Sequence, residues 1–338
     1  MIERGVRRAT FRRFSFDFLS FGVPAVHAGR PASHVLNHCI SDIEDGRGHD
    51  QNSLHEPAPS RITPTKGKDM TASTKGIALI TGASAGIGAI YADRLAKRGY
   101  DLILVARNQD RLDALASRLA AETGRSVTPL VADLNDRASL AKVESLLREN
   151  AGITMLVNNA GVGSVASILN GDVDAMEDMI KLNITALTRL TYAVAPAFVA
   201  RGAGTIVNIS SVVGIAVEML NGVYSASKSY VLSFGHALQR DLAGKGVRVQ
   251  SVLPAATATE FWDVAGYAKQ KEAASTMTAE DLVDAALVGL DAGELVTIPT
   301  LHDGEGWTRW EADRRALAPQ FANAKAAPRY VLDAKAGA

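Results

Sequence analysis

From Gly76 onwards the chain alternates short apolar runs with longer amphipathic stretches, and this alternation constrains its fold more than any other feature. Short, continuously apolar runs are typical of strands that are covered on both faces. Because a stretch of helical periodicity follows each run, we expect parallel strands that are connected by helices. The predicted strands are 77–81, 101–106, 126–132, 153–158, 204–210, 247–253 and 295–299, and the predicted helices lie near 87–98, 108–122, 136–149, 173–200, 223–244 and 279–291.

Right-handed crossovers with one reversal after the third strand give the strand order 3-2-1-4-5-6-7. The predicted fold class is therefore α/β, a doubly wound parallel sheet with helices on both faces in three α/β/α layers. No internal repeat interrupts this pattern, so we expect one domain over 70–300, preceded by an extension over 1–69 and followed by a C-terminal tail over 301–338.

The composition excludes several classes of function. The formal net charge is zero, which gives no reason to expect nucleic acid or an anionic membrane as a partner. The sequence contains no apolar run of the ~18 residues that a membrane span requires. Cys39 is the single cysteine, and only His236 and His302 of the seven histidines follow Met70, so neither a disulfide nor a metal site is expected. A cytoplasmic location fits this cysteine usage.

Residues 1–69 lack periodicity and are rich in Arg, His, Pro and Ser. Three interpretations stay open for this segment. Met70 is the natural start of the protein, or the segment is a disordered extension, or its arginine-rich beginning, with the pair Arg12-Arg13, is a targeting peptide.

A glycine-rich turn follows the first predicted strand, in the run Thr81-Gly82-Ala83-Ser84-Ala85-Gly86-Ile87-Gly88. A strand, a tight glycine turn and a helix N-terminus together present backbone N–H groups and a positive dipole end to a phosphate. The glycines allow the turn, the close approach of a pyrophosphate and the packing of the helix on the strand. A purely structural turn is the alternative for this motif taken alone.

Tyr224 and Lys228 stand four residues apart in a predicted helix, and Ser211 lies thirteen residues before Tyr224 at the end of a strand. Residues at this spacing share one helix face, so the phenol and the ammonium group can act together. A nearby cation favours phenolate, and we therefore expect Lys228 to lower the pKa of Tyr224 from about 10 towards the working range. A tyrosine of that kind exchanges a proton with a carbonyl or alcohol oxygen.

In this order and context the motifs resemble those of the short-chain dehydrogenase/reductase family, in its compact single-domain branch with a Rossmann-type fold. The resemblance covers about Lys75 to Pro299. It is carried by the glycine turn, Asp133-Leu134, Asn158-Asn159-Ala160-Gly161, Asn183, Asn208-Ile209-Ser210-Ser211, and Tyr224 with Lys228.

The resemblance implies a catalytic group of Asn183, Ser211, Tyr224 and Lys228. Tyr224 is the implied general acid in reduction and base in oxidation, and Lys228 binds the nicotinamide ribose. Ser211 hydrogen-bonds the substrate oxygen, and Asn183 holds a water that links Lys228 to solvent. The implied dinucleotide contacts are Gly82, Ser84, Gly86, Ile87, Gly88, Arg107, Asn108, Asp133, Leu134, Asn159, Ala160, Gly161, Tyr224, Lys228, Pro254 and Thr259, although Asn158-Asn159 can equally be a device that stabilises the loop.

The residue after the second strand predicts the cofactor. An acid at this point holds the ribose 2′-hydroxyl of NAD, whereas an arginine accommodates the 2′-phosphate of NADP. The sequence has Ala106 followed by Arg107, so we expect NADP(H) to be preferred over NAD(H). The alternative is a solvated arginine at a strand end. Ala255 replaces the glycine that the family commonly has after Pro254, and alanine is tighter wherever a positive φ is needed.

The substrate is expected to be an uncharged, hydrophobic carbonyl or alcohol, because the segments after Ser211 and Thr259 are mostly apolar. A non-catalytic dinucleotide sensor or scaffold of the same fold is the alternative function, and a sugar-nucleotide epimerase or dehydratase is a further, disfavoured one. The long helices at 173–200 and 223–244 are apolar on more than one face, which predicts a homodimer or homotetramer.

Overall fold

The computed structural model describes residues 73–330. The predictions for residues 1–69, including the targeting peptide and Cys39, lie outside these residues. The seven strands are β1 (Ile77–Thr81), β2 (Asp101–Ala106), β3 (Val127–Val131), β4 (Ile153–Asn158), β5 (Gly204–Ile209), β6 (Val247–Val252) and β7 (Val296–Thr297). They form one parallel sheet in the order 3-2-1-4-5-6-7, so the predicted fold class and strand order are confirmed.

Helices cover both faces of this sheet. They are α1 (Gly86–Lys97), α2 (Gln109–Thr123), α3 (Arg137–Glu149), α4 (Val173–Ile180), α5 (Leu187–Arg201), α6 (Gly222–Leu242), α7 (Phe261–Val264), α8 (Ala279–Asp291) and α9 (Glu305–Ala316). Alternate residues of β1 enter opposite cores: Ala78 and Ile80 pack with α1 and α8, and Leu79 packs with α3 and α5. This alternation is why the strand is apolar throughout.

Three parts of the structure differ from the sequence prediction, and one of them is α7, which falls in none of the predicted helices. The single helix expected over 173–200 is divided by a π-helical segment, Lys181–Ala186, which separates α4 from α5. The tail after residue 300 contains α9, which packs on α6 where His236 stacks on Trp307 and its Nε2 lies 3.3 Å from Glu311. Within the described residues no helix is long and apolar enough to cross a membrane.

The strand order places the site. β1 lies between β2 and β4, so the connections from β1 and β4 leave the sheet in opposite directions and open a crevice at the carboxyl ends of these strands. The glycine turn after β1 and the loop after β4 form the two sides of that crevice. The loop after β6, which carries α7, lies beside them, since Thr259 is within 3.2 Å of a Cβ built on Gly86.

Candidate active site

The glycine turn has the geometry that the sequence predicts. Gly82 and Gly86 have φ of +65° and +53°, where side chains are strained. A Cβ on Gly88 would lie 2.3 Å from the Gly82 carbonyl oxygen, so this position has no room for a side chain. Ala85 is the N-cap of α1 and offers no side-chain acceptor, and the first turn holds no acidic residue. The first N–H groups of α1 therefore remain available to an anion.

A network of hydrogen bonds holds this turn against the loop after β4. The Thr81 hydroxyl accepts the backbone N–H groups of Asn159 and Ala160, each at 3.0 Å. The Asn159 side chain donates to the carbonyls of Thr81 and Gly82 at 2.9 and 3.1 Å. Asn159 thus stabilises the loop, in agreement with the alternative interpretation of this motif. The role of Thr81 was not predicted, although a polar residue at the end of an apolar strand was the available signal.

A cavity of about 920 Å³ extends from the turn over the ends of β2 and β3. Its lining includes Gly82, Ser84, Arg107, Asn108, Asp133, Leu134, Ala160 and Gly161 from the predicted set. Arg107 is exposed, and no hydrogen bond or ion pair is recorded for it among the described residues. Asn108 caps α2 by accepting the Arg111 N–H at 3.0 Å, so its side chain already has a structural task.

An ion pair that was not predicted borders this cavity. The Arg111 guanidinium, in the first turn of α2, lies 2.6 Å from the Glu260 carboxylate, which directly precedes α7. Both side chains are about half exposed and both line the cavity. The pair joins the cavity's β2 side to the loop after β6.

A second cavity, of about 520 Å³, contains the predicted proton-transfer group. Ser211, Tyr224 and Lys228 line it together with Gly86, Ile87, Asn159, Pro254 and Thr259. The two cavities share Gly82, Arg107, Ala160 and Gly161 as walls. The Phe261 ring covers Gly163, where a Cβ would lie 2.2 Å from Cζ, and its centroid is 5.5 Å from that of Tyr224.

Ser211, Tyr224 and Lys228 are each less than a tenth exposed. Burial raises the pKa of Tyr224, and a hydrogen bond with Ser211 acts in the opposite direction. Burial lowers the pKa of Lys228 to about 8. The expectation that Lys228 lowers the Tyr224 pKa is therefore wrong for this structure. The Lys228 ammonium donates to the Ile209 carbonyl at 3.0 Å and lies 5.7 Å from the phenol ring centroid. The effect of burial on the Tyr224 pKa is therefore opposed by Ser211 and not by Lys228.

Asn183 lies behind this group and lines neither cavity. The π-helical segment carries it, and its amide bridges the backbone of Val162, with Oδ1 accepting from N at 3.0 Å and Nδ2 donating to O at 2.9 Å. Its Nδ2 also donates to the Ser227 hydroxyl at 3.1 Å. A Cβ on Gly161 would lie 3.1 Å from Asn183 Oδ1 and 3.5 Å from Lys228 Nζ, so Gly161 separates the two side chains.

Ser210 and Ser211, which the sequence leaves adjacent, have different surroundings. Ser210 donates to the Lys228 carbonyl at 2.7 Å and so ties the end of β5 to α6. The Ser211 hydroxyl contacts the Pro254 carbonyl at 3.2 Å and Tyr224. Only the Ser211 hydroxyl is therefore directed at the phenol, as the spacing to Tyr224 predicts.

Comparison with known proteins agrees with this geometry. A family model described as short chain dehydrogenase matches residues 76–270. A very-long-chain 3-oxoacyl-CoA reductase from Anas platyrhynchos is 34% identical over 236 residues, which are 68% of this chain and 73% of that protein.

Two solved structures are also similar. A short-chain dehydrogenase from Sphingobium yanoikuyae in complex with NADPH is 50% identical, with a TM-score of 0.73 over 75% of this chain and 100% of that one. The bulky-bulky ketone specific alcohol dehydrogenase from Comamonas testosteroni is 44% identical, with a TM-score of 0.71 over 76% of this chain and 99% of that one.

Proposed function

The chain belongs to the short-chain dehydrogenase family, whose members oxidise alcohols or reduce carbonyls with a nicotinamide dinucleotide, and from this premise we propose an NADP-dependent oxidoreductase of hydrophobic carbonyl/alcohol pairs. The observation that carries this proposal is the convergence of Ser211, Tyr224 and Lys228 in one cavity that continues into the glycine turn. A protein that only senses a dinucleotide has no need for a buried phenol, hydroxyl and ammonium group around one space.

The residues of the crevice fit a dinucleotide. Gly82, Gly86 and Gly88 form a cradle that side chains would fill, and the N-terminus of α1 has no competing side-chain acceptor. The shared walls of the two cavities suit an elongated ligand that lies along both. Two observations support a contact between Arg107 and the 2′-phosphate of NADP: no carboxylate of the described residues pairs with its guanidinium, and the residue before it is Ala106 and not an acid. The relative from Sphingobium yanoikuyae binds NADPH, which supports the same choice here.

The protein's own groups perform proton transfer and orientation, while the bound nicotinamide exchanges the hydride with the substrate carbon. In reduction Tyr224 donates its proton to the carbonyl oxygen, and in oxidation it accepts the proton of the alcohol. Ser211 donates a hydrogen bond to the same oxygen and stabilises its developing charge. Lys228, with a pKa of about 8, can restore the proton near neutral pH, and Asn183 holds the loop at Val162 and Gly161 in position.

The Tyr224→Phe variant tests this role, because it removes one hydroxyl and keeps the ring that packs on Phe261. We expect turnover of a reducible ketone to fall by about 10²- to 10⁴-fold while NADPH affinity, measured by fluorescence titration, changes little. Tyr230→Phe, on the same helix but outside both cavities, is the control. A Tyr224→Phe enzyme that keeps most of its rate would refute the assignment. Tight NADPH binding by the natural chain with no turnover of any carbonyl or alcohol would favour the sensor.

The Arg107→Ala variant tests the cofactor preference. One charge-assisted contact with a phosphate is worth about 1.5–3 kcal/mol, so NADPH affinity should fall by about ten- to a hundredfold and NADH affinity should change little. Arg240→Ala, at another exposed arginine that lines neither cavity, is the control. Equal weakening of both cofactors in titration calorimetry contradicts a phosphate contact.

Self-association through α5 and α6 is part of this proposal. Tyr192, Phe234 and Tyr230 form a stacked aromatic strip on these helices, and Tyr192 is 69% exposed. Aromatic side chains left bare on a surface favour an interface. Light scattering at micromolar concentration should give a dimer or tetramer, and Tyr192→Ser should shift it towards monomer. A monomeric natural chain under these conditions contradicts the interface.

A further inference from the structure

Three segments that contribute to the wall of the Tyr224 cavity, 162–176, 212–221 and 255–277, carry exposed apolar side chains. Ile168 and Leu169, in the loop before α4, are 96% and 88% exposed, and Val173 follows at the start of α4. Met219, in the loop before α6, is 64% exposed, and Val264 and Tyr267, in and after α7, are also exposed. We call these six residues the apolar rim. Met219, Val264 and Tyr267 line the cavity itself, so the rim continues the cavity wall outwards.

Hydrogen bonds hold the three rim segments together. The Val165 N–H donates to the Ala265 carbonyl at 3.2 Å, which joins the loop before α4 to α7. The Asn221 side-chain amide donates to the Ala166 carbonyl and joins the same loop to the N-terminus of α6. Exposed apolar side chains on segments that are hydrogen-bonded to one another form one surface. An apolar surface of this kind beside a cavity is typical of a ligand groove.

The charges around this rim are mostly negative. The segments 162–176, 212–221 and 255–277 carry six carboxylates and two lysines. One of these lysines, Lys271, is held by Asp263 at 2.6 Å. Inside the cavity the charged lining residues are Arg107, at the wall shared with the first cavity, Glu260, which is paired with Arg111, and the buried Lys228. The other lysine, Lys269, lines neither cavity. Among the described residues, the wall beside Ser211 and Tyr224 therefore has the buried Lys228 as its cation, and Arg107 lies at the far wall, where the two cavities meet.

We propose that the substrate is a neutral ketone or secondary alcohol whose apolar groups extend from the cavity onto the apolar rim, and that the acidic segments disfavour CoA thioesters and other anionic substrates. This inference rests on the proposed function and deepens it. The ligand that covers the apolar rim is the substrate itself, because the rim residues Met219, Val264 and Tyr267 line the same cavity as Ser211 and Tyr224. A thioester of CoA would bring several negative charges to a mouth that is already acidic, and like charges repel.

A ketone series tests the apolar part of the proposal. With NADPH and phenyl alkyl ketones from acetophenone to octanophenone, we expect kcat/KM to rise about two- to fourfold for each methylene that reaches the rim. The double variant Ile168→Ser/Leu169→Ser should flatten this increase, so that its loss of kcat/KM grows from acetophenone to octanophenone. Val288→Ser replaces another exposed apolar side chain, on α8, that lines neither cavity, and it should preserve the increase.

A matched pair of substrates tests the charge. Ethyl 3-oxooctanoate and 3-oxooctanoyl-CoA share the reacting chain, and we expect the ester to have at least tenfold higher kcat/KM. Glu218→Lys, which places a cation beside Met219, should raise the rate with the thioester several-fold at low salt, and added salt should remove the gain. A natural enzyme that prefers the thioester overturns the proposal.

Other outcomes separate the two levels of inference. Turnover of acetophenone with no dependence on chain length overturns the rim proposal and leaves the oxidoreductase in place. Loss of self-association in Ile168→Ser/Leu169→Ser, with an unchanged ketone series, means that a second copy covers the rim, and this also overturns the proposal. Absence of turnover with every ketone and ester overturns the proposed function and the rim proposal with it.

Discussion

Replacing Lys228 with methionine should stabilise the fold in the absence of cofactor while it abolishes turnover. Lys228 is 6% exposed, and its ammonium has one hydrogen-bond acceptor, the Ile209 carbonyl. A buried cation with so few partners costs free energy in the folded state. Methionine has a similar length and no charge, so it can fill the same space with little strain.

The pKa of Lys228 sets the size of this effect. Burial lowers it to about 8 from the usual 10.5, a gap worth roughly 3 kcal/mol. The variant leaves the Ile209 carbonyl without its donor, which costs about 1–2 kcal/mol. We therefore expect Lys228→Met to be more stable than the natural chain by about 1–2 kcal/mol at pH 7. This is the value for the charged lysine, since pH 7 lies below both the folded and the unfolded pKa.

The effect must also depend on pH with a definite sign. Between pH 8 and 10.5 the unfolded chain retains a proton that the folded protein has released, so the stability of the natural chain rises with pH. The buried Tyr91 and Tyr224 have raised pKa values and act in the opposite sense above about pH 10. Because both tyrosines remain in the variant, the difference between the two proteins isolates Lys228.

Urea denaturation followed by circular dichroism at pH 7, 8, 9 and 10 measures this difference. The advantage of Lys228→Met should shrink as the pH rises and should change sign towards pH 10, where most of the penalty for the buried cation is gone and the loss of the Ile209 hydrogen bond dominates. Lys245→Met, at an exposed lysine, should show no such trend. A Lys228→Met protein that is less stable at pH 7, or a difference that does not vary with pH, refutes the account of Lys228 as a destabilising buried cation.

Two further predictions concern the walls of the crevice. Gly163→Ala should lower turnover at least tenfold with little change in NADPH affinity, because its Cβ would displace the Phe261 ring that packs on Tyr224. Gly222→Ala, where a Cβ meets open space, is the control. Equal turnover rates for the two variants would contradict this prediction. Arg111→Glu and Glu260→Arg should each speed the release of NADPH and of NADH in stopped-flow measurements, and the double exchange should restore slow release. An effect of Arg111→Glu on NADPH alone, with no rescue, would instead indicate a direct phosphate contact.

The sequence predicted the sheet well because its strands are buried on both faces. The predicted strand order is the observed one. The bounds of β1, β2 and β4 are those predicted, and the bounds of β3, β5 and β6 differ by one residue at most, whereas β7 has only two of its five predicted residues. The π-helical segment that separates α4 from α5 was missed, because apolar periodicity does not reveal one widened turn within a long helix. The residues after 300 were assigned no element, since α9 is polar and buries only Glu311.

The sequence predicted which residues come together in the candidate site, but it did not predict the direction in which the Tyr224 pKa shifts. Four-residue spacing indicated that Tyr224 and Lys228 share a helix face, and both line the same cavity. The spacing does not show how deeply a side chain is buried, and burial determines the direction in which the Tyr224 pKa shifts. The Arg111–Glu260 pair could not be foreseen, because its partners are 149 residues apart and each is ordinary in its local sequence. The roles of all these residues in cofactor binding and catalysis stay predictions.

The π-helical segment lies between a part of the chain whose length can change and a part whose length is fixed by packing. α4 borders the first cavity through Met176 and Met179, whereas α5 is buried against the sheet, and the wide turn at Lys181–Ala186 sets the rotation of one relative to the other. Deleting one residue there would rotate the two helices by about 100° relative to each other, since an α-helix has about 3.6 residues per turn. Changes of length between Ser167 and Asp172, in the exposed part of the loop before α4, would alter the shape of the mouth and leave this rotation as it is. We therefore expect insertions and deletions in related sequences to occur in the loop before α4 and to be absent from the π-helical turn that follows α4.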